Sequence, residues 1–255
     1  ETPRPSATVV LLRDDRGHGL EVFLLRRHTA SAVLGGAYVF PGGKLDEADC
    51  APHAIAPHAS DAPRWREQLA EASLSLHEVV GLYLAAAREM HEECGIQIHP
   101  AQLTPWSRWI TPKQPSVTNR RFDTRFFVAA LPQGQEPVHD DIEAIESVWL
   151  TPRAALERFW AQDLSLAPPQ IMTLVSMSGF SSVDDALRCA RAQRPPLILP
   201  EPFDDPHGVR TICYPGDPRH SVSQRAFPGP TRLRFVSGRF EPEGGLHALI
   251  EPEPL

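Results

Sequence analysis

The sequence predicts an α/β fold, because short apolar strands at the start of the chain precede one long amphipathic helix and then further strands. Residues 7–12 and 20–25 are predicted to form two strands, joined by a hairpin loop at 14–19 that is rich in Asp and Gly. A third short strand is expected at 37–40, where Pro41 ends it. This β-rich start, followed by helical periodicity, favours a sheet covered by helices.

The middle of the chain alternates between helical and extended patterns. Helical periodicity runs from about Pro63 to Cys94 and is predicted to break into two helices, whereas residues 50–63 have no periodicity and suggest a loop or a short helix. The remaining elements of this half are predicted in order: an irregular or edge-like segment at 105–112, strands at 121–130 and 146–150, and a helix that Thr151 caps and that ends near Trp160.

Beyond Asp163 the composition changes and proline becomes frequent. We predict one domain over residues 1–160, with an insert at about 50–80, and a helical and β extension over 161–255 that packs on it. Within the extension the predicted elements are helices near 168–177 and 181–193 and strands around 209–214, 231–236 and 246–251.

Charge and composition exclude several functional classes. The chain has 25 Lys and Arg residues against 32 Asp and Glu residues, a net charge of −7, which argues against binding to a nucleic-acid backbone. No apolar run is long enough for a transmembrane helix, so we expect no membrane partner. The four cysteines form no C-x-x-C pair, which argues against a zinc ribbon, and without a secretory signal a reduced, cytoplasmic setting is expected.

Three carboxylates are clustered near the end of the long helix. On a helix, Glu89, Glu92 and Glu93 lie at positions i, i+3 and i+4 and therefore share one face, and Gly95 is placed to end the helix. Like charges close to the negative end of the helix dipole repel one another. A hard cation such as Mg²⁺ or Mn²⁺ would remove this repulsion, because it prefers oxygen ligands. The alternative is a solvated acidic face on a scaffold protein.

The segment upstream of this helix completes a known pattern. A strand runs into Gly42-Gly43, and the helix then contains the sequence Arg-Glu-x-x-Glu-Glu-x-Gly over 88–95. Together they resemble the box of the Nudix hydrolases, which implies a Nudix-type α/β/α sandwich with a mixed sheet. The chain departs from the box at Asp49, where the family has Glu, and at 50–87, where 38 residues replace the family's seven.

A box interrupted in this way is similar to the branch that includes the peroxisomal coenzyme A diphosphatases. The glycine-rich strand end and Arg27 match part of the coenzyme A signature, although the second Arg of that signature falls on Ala32. The chain ends in Glu-Pro-Leu rather than in a peroxisomal signal, so a cytosolic setting is favoured. We also predict that residues 50–79 lie outside the sheet and that the two halves of the box meet in space.

The resemblance implies a role for each matching residue. Glu89, Glu92, Glu93 and the Gly43 carbonyl are expected to hold Mg²⁺ or Mn²⁺, and the candidate catalytic residues are Glu89, Arg88 and Glu92. Glu89 is either a metal ligand or the general base, and Arg88 is expected to orient a box carboxylate. Asp49 is the candidate for the box's first acidic position, and a further acidic residue is sought among three positions: Asp141, Glu143 and Glu146.

The implied reaction is hydrolysis of a nucleoside diphosphate linked to another group. Coenzyme A and its acyl esters are the first choice of substrate, ahead of ADP-ribose, dinucleoside polyphosphates and NADH. Arg121 and Arg125 lie on one strand face, where they form either a phosphate clamp or a salt-bridge ladder with Asp123. A catalytically weak Nudix domain that binds a nucleotide as a regulatory module is the alternative function, and a homodimer stays open.

Overall fold

The computed structural model describes residues 2–30, 34–113, 120–139 and 144–255 of the chain. It begins with an antiparallel hairpin formed by β1 (Arg4–Asp15) and β2 (Gly19–Arg27), in which Leu12 pairs with Val22. Gly19 has a φ of +80°, a conformation that favours glycine at the end of the predicted loop. The first two predicted strands are therefore confirmed.

A mixed sheet forms the centre of the molecule. In the described residues its strands follow the order β3-β2-β1-β6-β5-β8, while β4 also pairs with β1 and β7 with β2. The β1–β6 and β5–β8 pairs are parallel, and the other pairs are antiparallel. The further strands of this sheet are β3 (Tyr38–Val39), β4 (Gly42–Lys44), β5 (Thr104–Ile110), β6 (Phe122–Ala130), β7 (Ala144–Leu150) and β8 (Leu197–Ile198).

Helices cover the sheet, and a second sheet of four antiparallel strands lies in the extension. The helices are α1 (Pro52–Ile55), α2 (Ala62–Leu69), α3 (Leu76–Cys94), α4 (Pro152–Trp160), α5 (Pro168–Met177), α6 (Val183–Ala192) and α7 (Gly245–Ile250). The second sheet consists of β9 (Glu201–Asp204), β10 (Arg210–Cys213), β11 (Arg232–Val236) and β12 (Arg239–Glu241). None of the helices in the described ranges has the length and apolar character that crossing a membrane requires.

Side-chain alternation along β1 divides the core into two layers. Val9 and Leu11 belong to a buried cluster with Tyr83 and Met90 of α3. Val10 and Leu12 point to the opposite face and belong to a second cluster that includes the apolar side chains of α4, α5 and α6. Helices therefore flank both faces of the mixed sheet, which confirms the predicted α/β/α sandwich.

The ends of α3 are fixed by local signals in the sequence. Ser75 Oγ accepts a hydrogen bond from the Glu78 backbone N–H at 3.2 Å, and Glu78 Oε2 accepts one from the Ser75 N–H at 2.8 Å. At the other end Gly95 adopts a φ of +69° and closes the helix. The acidic sequence of the box therefore occupies the last two turns of a well-capped helix.

The insert folds as short helices that pack beside α3. Residues 50–79 contribute no strand, as predicted, and α2 packs on α3 through the ring of Trp65. This ring is 1% exposed and stacks on Tyr83 with ring centroids 4.3 Å apart. The insert is thus anchored to the helix that carries the box.

The structure decides one open prediction and overturns another. Residues 105–112, expected to be irregular or edge-like, contain most of β5, which only the two-residue β8 separates from the edge of the sheet. The β-bulge between Pro105 and Ser107 accommodates the proline within a strand that pairs with β6. Residues 246–251, expected to be a strand, lie mostly in α7, which packs against α4 and buries Leu249 completely. Their apolar spacing fits either structure over so short a length.

The extension shares both the sheet and the core with the first part of the chain. β8 pairs in parallel with β5, and Ile212 of β10 belongs to the same buried cluster as β1 and α4. Asp217 is buried and accepts hydrogen bonds from Arg232 Nε and Nη2 at 2.6 and 2.8 Å. Burial opposes the charge of Asp217, but Arg232 and the Arg219 N–H outweigh it and hold the pKa of Asp217 below its ordinary value. The boundary at residue 160 stays a prediction.

Candidate active site

The Gly42-Gly43 turn and the acidic end of α3 lie against each other. β4 pairs with β1 so that Thr8 faces Gly42 and Ala7 faces Gly43. A β-carbon at Gly43 would overlap the carboxylate of Glu89, so only glycine permits this close approach. The two halves of the box therefore meet in space, as the sequence predicts.

Glu93 joins the helix directly to this turn. Its Oε2 accepts a hydrogen bond from the Gly42 backbone N–H at 2.9 Å, although the two residues are 51 positions apart. The Glu93 residue is 6% exposed, so its carboxylate is largely removed from water. A buried carboxylate is costly unless donors or a cation compensate it, and the Gly42 N–H is one such donor.

Arg88 forms ion pairs with other carboxylates of the box. Its Nε and Nη2 bind the two oxygens of Asp49 at 3.0 Å each, while Nη1 contacts Glu89 Oε1 and Glu92 Oε2 at 2.8 Å each. Nη2 also donates to the Lys44 carbonyl at 3.1 Å. The hydrogen bonds to Asp49 raise the pKa of Arg88 further above its ordinary value, against the effect of burial. Arg88 thus donates hydrogen bonds to Glu89 and Glu92, and its role in orienting a box carboxylate stays a prediction.

Asp49 is the fixed partner of Arg88. Its side chain is 5% exposed, and its Oδ2 also accepts a hydrogen bond from the Asp46 N–H at 2.9 Å, which holds the 3₁₀ turn at 47–50. A bidentate contact of this kind is geometrically specific as well as strong. Asp49, which stands where the Nudix box has Glu, therefore lies against the guanidinium of Arg88.

The donor set fits a hard divalent cation in its chemistry. Glu89, Glu92 and Glu93 offer carboxylate oxygens, and the absence of a side chain at Gly43 leaves the Glu89 carboxylate directly against the backbone of the turn. Within the ranges that the structure describes, no three His, Cys, Asp or Glu side chains are already arranged as a metal cluster. Instead, Arg88 binds Glu89 and Glu92, and their assignment as ligands stays a prediction.

The side chain of Arg125 is buried and paired with carboxylates of the protein. Its side chain is 3% exposed and binds Glu71 through Nε at 2.9 Å and through Nη2 at 2.6 Å, and Nη1 lies 3.1 Å from Asp123 Oδ2. Arg108 contacts the same two carboxylates, at 2.7 Å each. This arrangement favours the salt-bridge ladder over the phosphate clamp, because the guanidinium of Arg125 is buried among protein acceptors.

The other predicted site residues lie elsewhere. Arg121 is half-buried, and its Nε donates to the carbonyls of Thr111 and Pro112 at 3.0 and 3.1 Å. Glu146 binds Arg26 at 3.3 Å on β2, and Asp141 and Glu143 lie outside the described residues. Sequence reasoning missed Glu71, for which no local pattern signals a partner 54 positions away.

Comparisons with known proteins identify relatives of this chain. A family model described as the NUDT19 Nudix domain matches residues 101–177. The human protein named acyl-coenzyme A diphosphatase NUDT19 is 26% identical over 252 residues, covering 71% of this chain and 67% of the relative. Its chicken counterpart is also 26% identical, with 65% of this chain and 63% of the relative covered. The chain therefore spans about two thirds of the length of these relatives, or slightly less.

A solved structure shows the same fold. The crystal structure of a Nudix hydrolase from Alicyclobacillus acidocaldarius superimposes with a TM-score of 0.57 at 23% identity. The match covers 76% of this chain and 97% of that protein. Most of the described sheet and its flanking helices therefore follow an architecture already known from experiment.

Proposed function

We propose that the chain is a Nudix hydrolase whose box is split by an insert, and that it acts as a metal-dependent pyrophosphohydrolase of coenzyme A or its acyl esters. The observation that carries this proposal is the reunited box, in which Gly43 and Glu89 touch and Arg88 donates hydrogen bonds to two carboxylates. The relatives named acyl-coenzyme A diphosphatase support the choice of substrate.

Each residue of the box has its own proposed role in the reaction. A bound Mg²⁺ or Mn²⁺, held by Glu92, Glu93 and the Gly43 carbonyl, would neutralise phosphate charge and lower the pKa of a bound water, and Glu89 is then left to act as the base. Arg88 holds Glu89 and Glu92 in place, and the Gly42 N–H holds Glu93. These contacts fix the carboxylates before substrate arrives, so less ordering is required during the reaction.

The chemical step breaks one phosphoric anhydride bond. Water attacks one phosphorus of the diphosphate, and the bond from that phosphorus to the bridging oxygen breaks, with its electron pair leaving on the other phosphate. Glu89 is the proposed base, because its carboxylate lies against the glycine turn and is held by Arg88. It accepts the proton that the attacking water loses.

A substrate panel with mass-spectrometric identification of the products tests the proposal. Coenzyme A, an acyl ester of coenzyme A, ADP-ribose, a dinucleoside polyphosphate and NADH are each incubated with Mg²⁺ or Mn²⁺, with and without EDTA. We expect the coenzyme A compounds to give the highest kcat/KM and EDTA to abolish turnover. Full activity in EDTA, or a preference for another substrate, would overturn the assignment.

The same panel separates the enzyme from a regulatory module. A module that only binds nucleotides would bind a panel compound by calorimetry, yet release no product with any metal. Cytoplasmic location and a homodimer stay predictions that this experiment does not address.

A further inference from the structure

An apolar cavity of about 220 Å³ lies on the opposite face of the sheet from α3. Its walls come from β1, β5, β6, the start of α5 and the extension, and they include Thr8, Trp109, Thr124, Phe126, Gln170 and Ile212. Its polar lining residues include three threonines and Gln170. Among the described residues, no charged side chain lines the cavity. A neutral and largely apolar ligand suits such a cavity.

The cavity and the candidate active site share a wall. Thr8 lines the cavity and is the β1 partner of Gly42, whose N–H binds Glu93. A β-carbon on Gly42 would lie 2.6 Å from Thr8 Oγ1, so the turn and the cavity wall are in direct contact. The cavity therefore borders the glycine turn of the box at Thr8.

Gln170 is a buried polar residue in the wall of the cavity. The residue is 7% exposed, lines the cavity, and has an Oε1 atom without a hydrogen-bond partner. Buried side-chain acceptors in folded proteins are normally satisfied, and one that is not indicates a missing ligand or water. The complementary group is an N–H donor carried on an otherwise uncharged chain.

We propose that this cavity binds the pantetheine arm of coenzyme A, and that the side-chain amide of Gln170 forms a hydrogen bond with an amide of the arm. The inference rests on the proposed function and names which half of its substrate the cavity recognises. The arm is neutral and contains two amides, whereas the adenosine half carries an additional phosphate that requires a nearby cation. The described lining offers no such cation.

Binding of the two halves of coenzyme A tests the proposal. Gln170→Leu keeps the approximate size of the side chain and removes its acceptor. Calorimetry with 4′-phosphopantetheine should show affinity weakened about 10-fold, since a lost hydrogen bond has an effect of this order. The affinity for adenosine 3′,5′-bisphosphate should change less than about 2-fold. The matched control is Gln68→Leu, an exposed position on α2 that should leave both affinities unchanged.

Stability separates a binding role from a structural one. Because Gln170 Oε1 is unpartnered, Gln170→Leu should keep or raise the melting temperature. Ala167→Leu, which adds volume at the cavity wall, provides a second variant and should weaken phosphopantetheine selectively. Unchanged phosphopantetheine affinity in both variants would overturn the proposal, as would selective weakening of the bisphosphate, which would place the nucleotide half here.

Failure of the proposed function gives a different result. If the wild-type protein cleaves another diphosphate but neither coenzyme A nor its esters, the substrate assignment fails, and the cavity assignment fails with it. If the wild-type protein cleaves coenzyme A and both the Gln170→Leu and the Ala167→Leu proteins bind phosphopantetheine as tightly as the wild type, only the cavity assignment fails.

Discussion

Glu93→Gln isolates the charge of one buried carboxylate from its shape. The amide oxygen of Gln can still accept the hydrogen bond from the Gly42 N–H, which Glu93 now accepts at 2.9 Å. Packing is therefore kept at a position that is only 6% exposed. What disappears is the negative charge that the proposed function requires for holding a divalent cation.

The structure sets the expected size of the two effects. Replacing a charge-assisted hydrogen bond by a neutral one costs about 1 kcal/mol. Removing the charge also removes the repulsion with Glu89 and the unfavourable interaction with the helix dipole. This raises the free energy of unfolding by a few tenths up to about 1 kcal/mol. Stability should therefore change by less than about 1 kcal/mol, or about 4 °C in melting temperature. Turnover should fall by about 100-fold or more, because a metal ligand contributes several kcal/mol to the transition state.

Two measurements on the same preparation decide the outcome. Turnover of coenzyme A is measured with Mg²⁺, and the melting temperature is measured without metal. Glu47→Gln is the matched control, since Glu47 is exposed, lies outside the matching box positions, and should keep wild-type values in both. Near wild-type turnover of Glu93→Gln would refute the metal role, and loss of turnover through unfolding would show that Glu93 is structural.

Two further substitutions test the charged networks. Asp49→Asn should lower kcat about 10-fold or more, because Arg88 loses the bidentate carboxylate that fixes it and small misplacements are costly; wild-type kcat in a folded variant would contradict this positioning role. Asp217→Asn should lower the free energy of unfolding at neutral pH by about 2 kcal/mol. Because the pKa of Asp217 is lowered on folding, its ionised form contributes stability above about pH 4 that is lost on acidification. Urea unfolding across pH should therefore show a flatter acid limb for the variant, and parallel curves would contradict the reasoning.

The sequence predicts the parts of the site that depend on local geometry. Positions 89, 92 and 93 share a face because helical spacing places them there, and Ser75 and Gly95 contribute the signals that fix the helix ends. The proximity of Gly43 to this face follows from the resemblance of the box. Each of these inferences needs only neighbouring residues or a known pattern.

The features that sequence reasoning missed depend on distant partners. The sequence leaves Arg125 open between a phosphate clamp and a salt-bridge ladder with Asp123, and the buried partner Glu71, 54 positions away in the insert, is what the sequence does not reveal. The strand at 104–110 contains a proline, and its pairing with β6 is what identifies it as a strand. The short apolar run at 246–251 has no periodicity long enough to distinguish a helix from a strand.

Gly81 lets the 3₁₀ turn that carries Asp49 pack closely on α3, the helix that carries the carboxylates of the box. It lies inside α3, where glycine lowers stability by about 0.5–1 kcal/mol relative to alanine. A β-carbon here would lie 2.6 Å from Cys50 Sγ, so glycine is what lets the 3₁₀ turn at 47–50 rest on the helix. That turn carries Asp49, and its position determines whether the carboxylate reaches Arg88. Gly81 therefore contributes to the packing that holds Asp49 near Arg88, although it lies about two helical turns from Arg88 along α3.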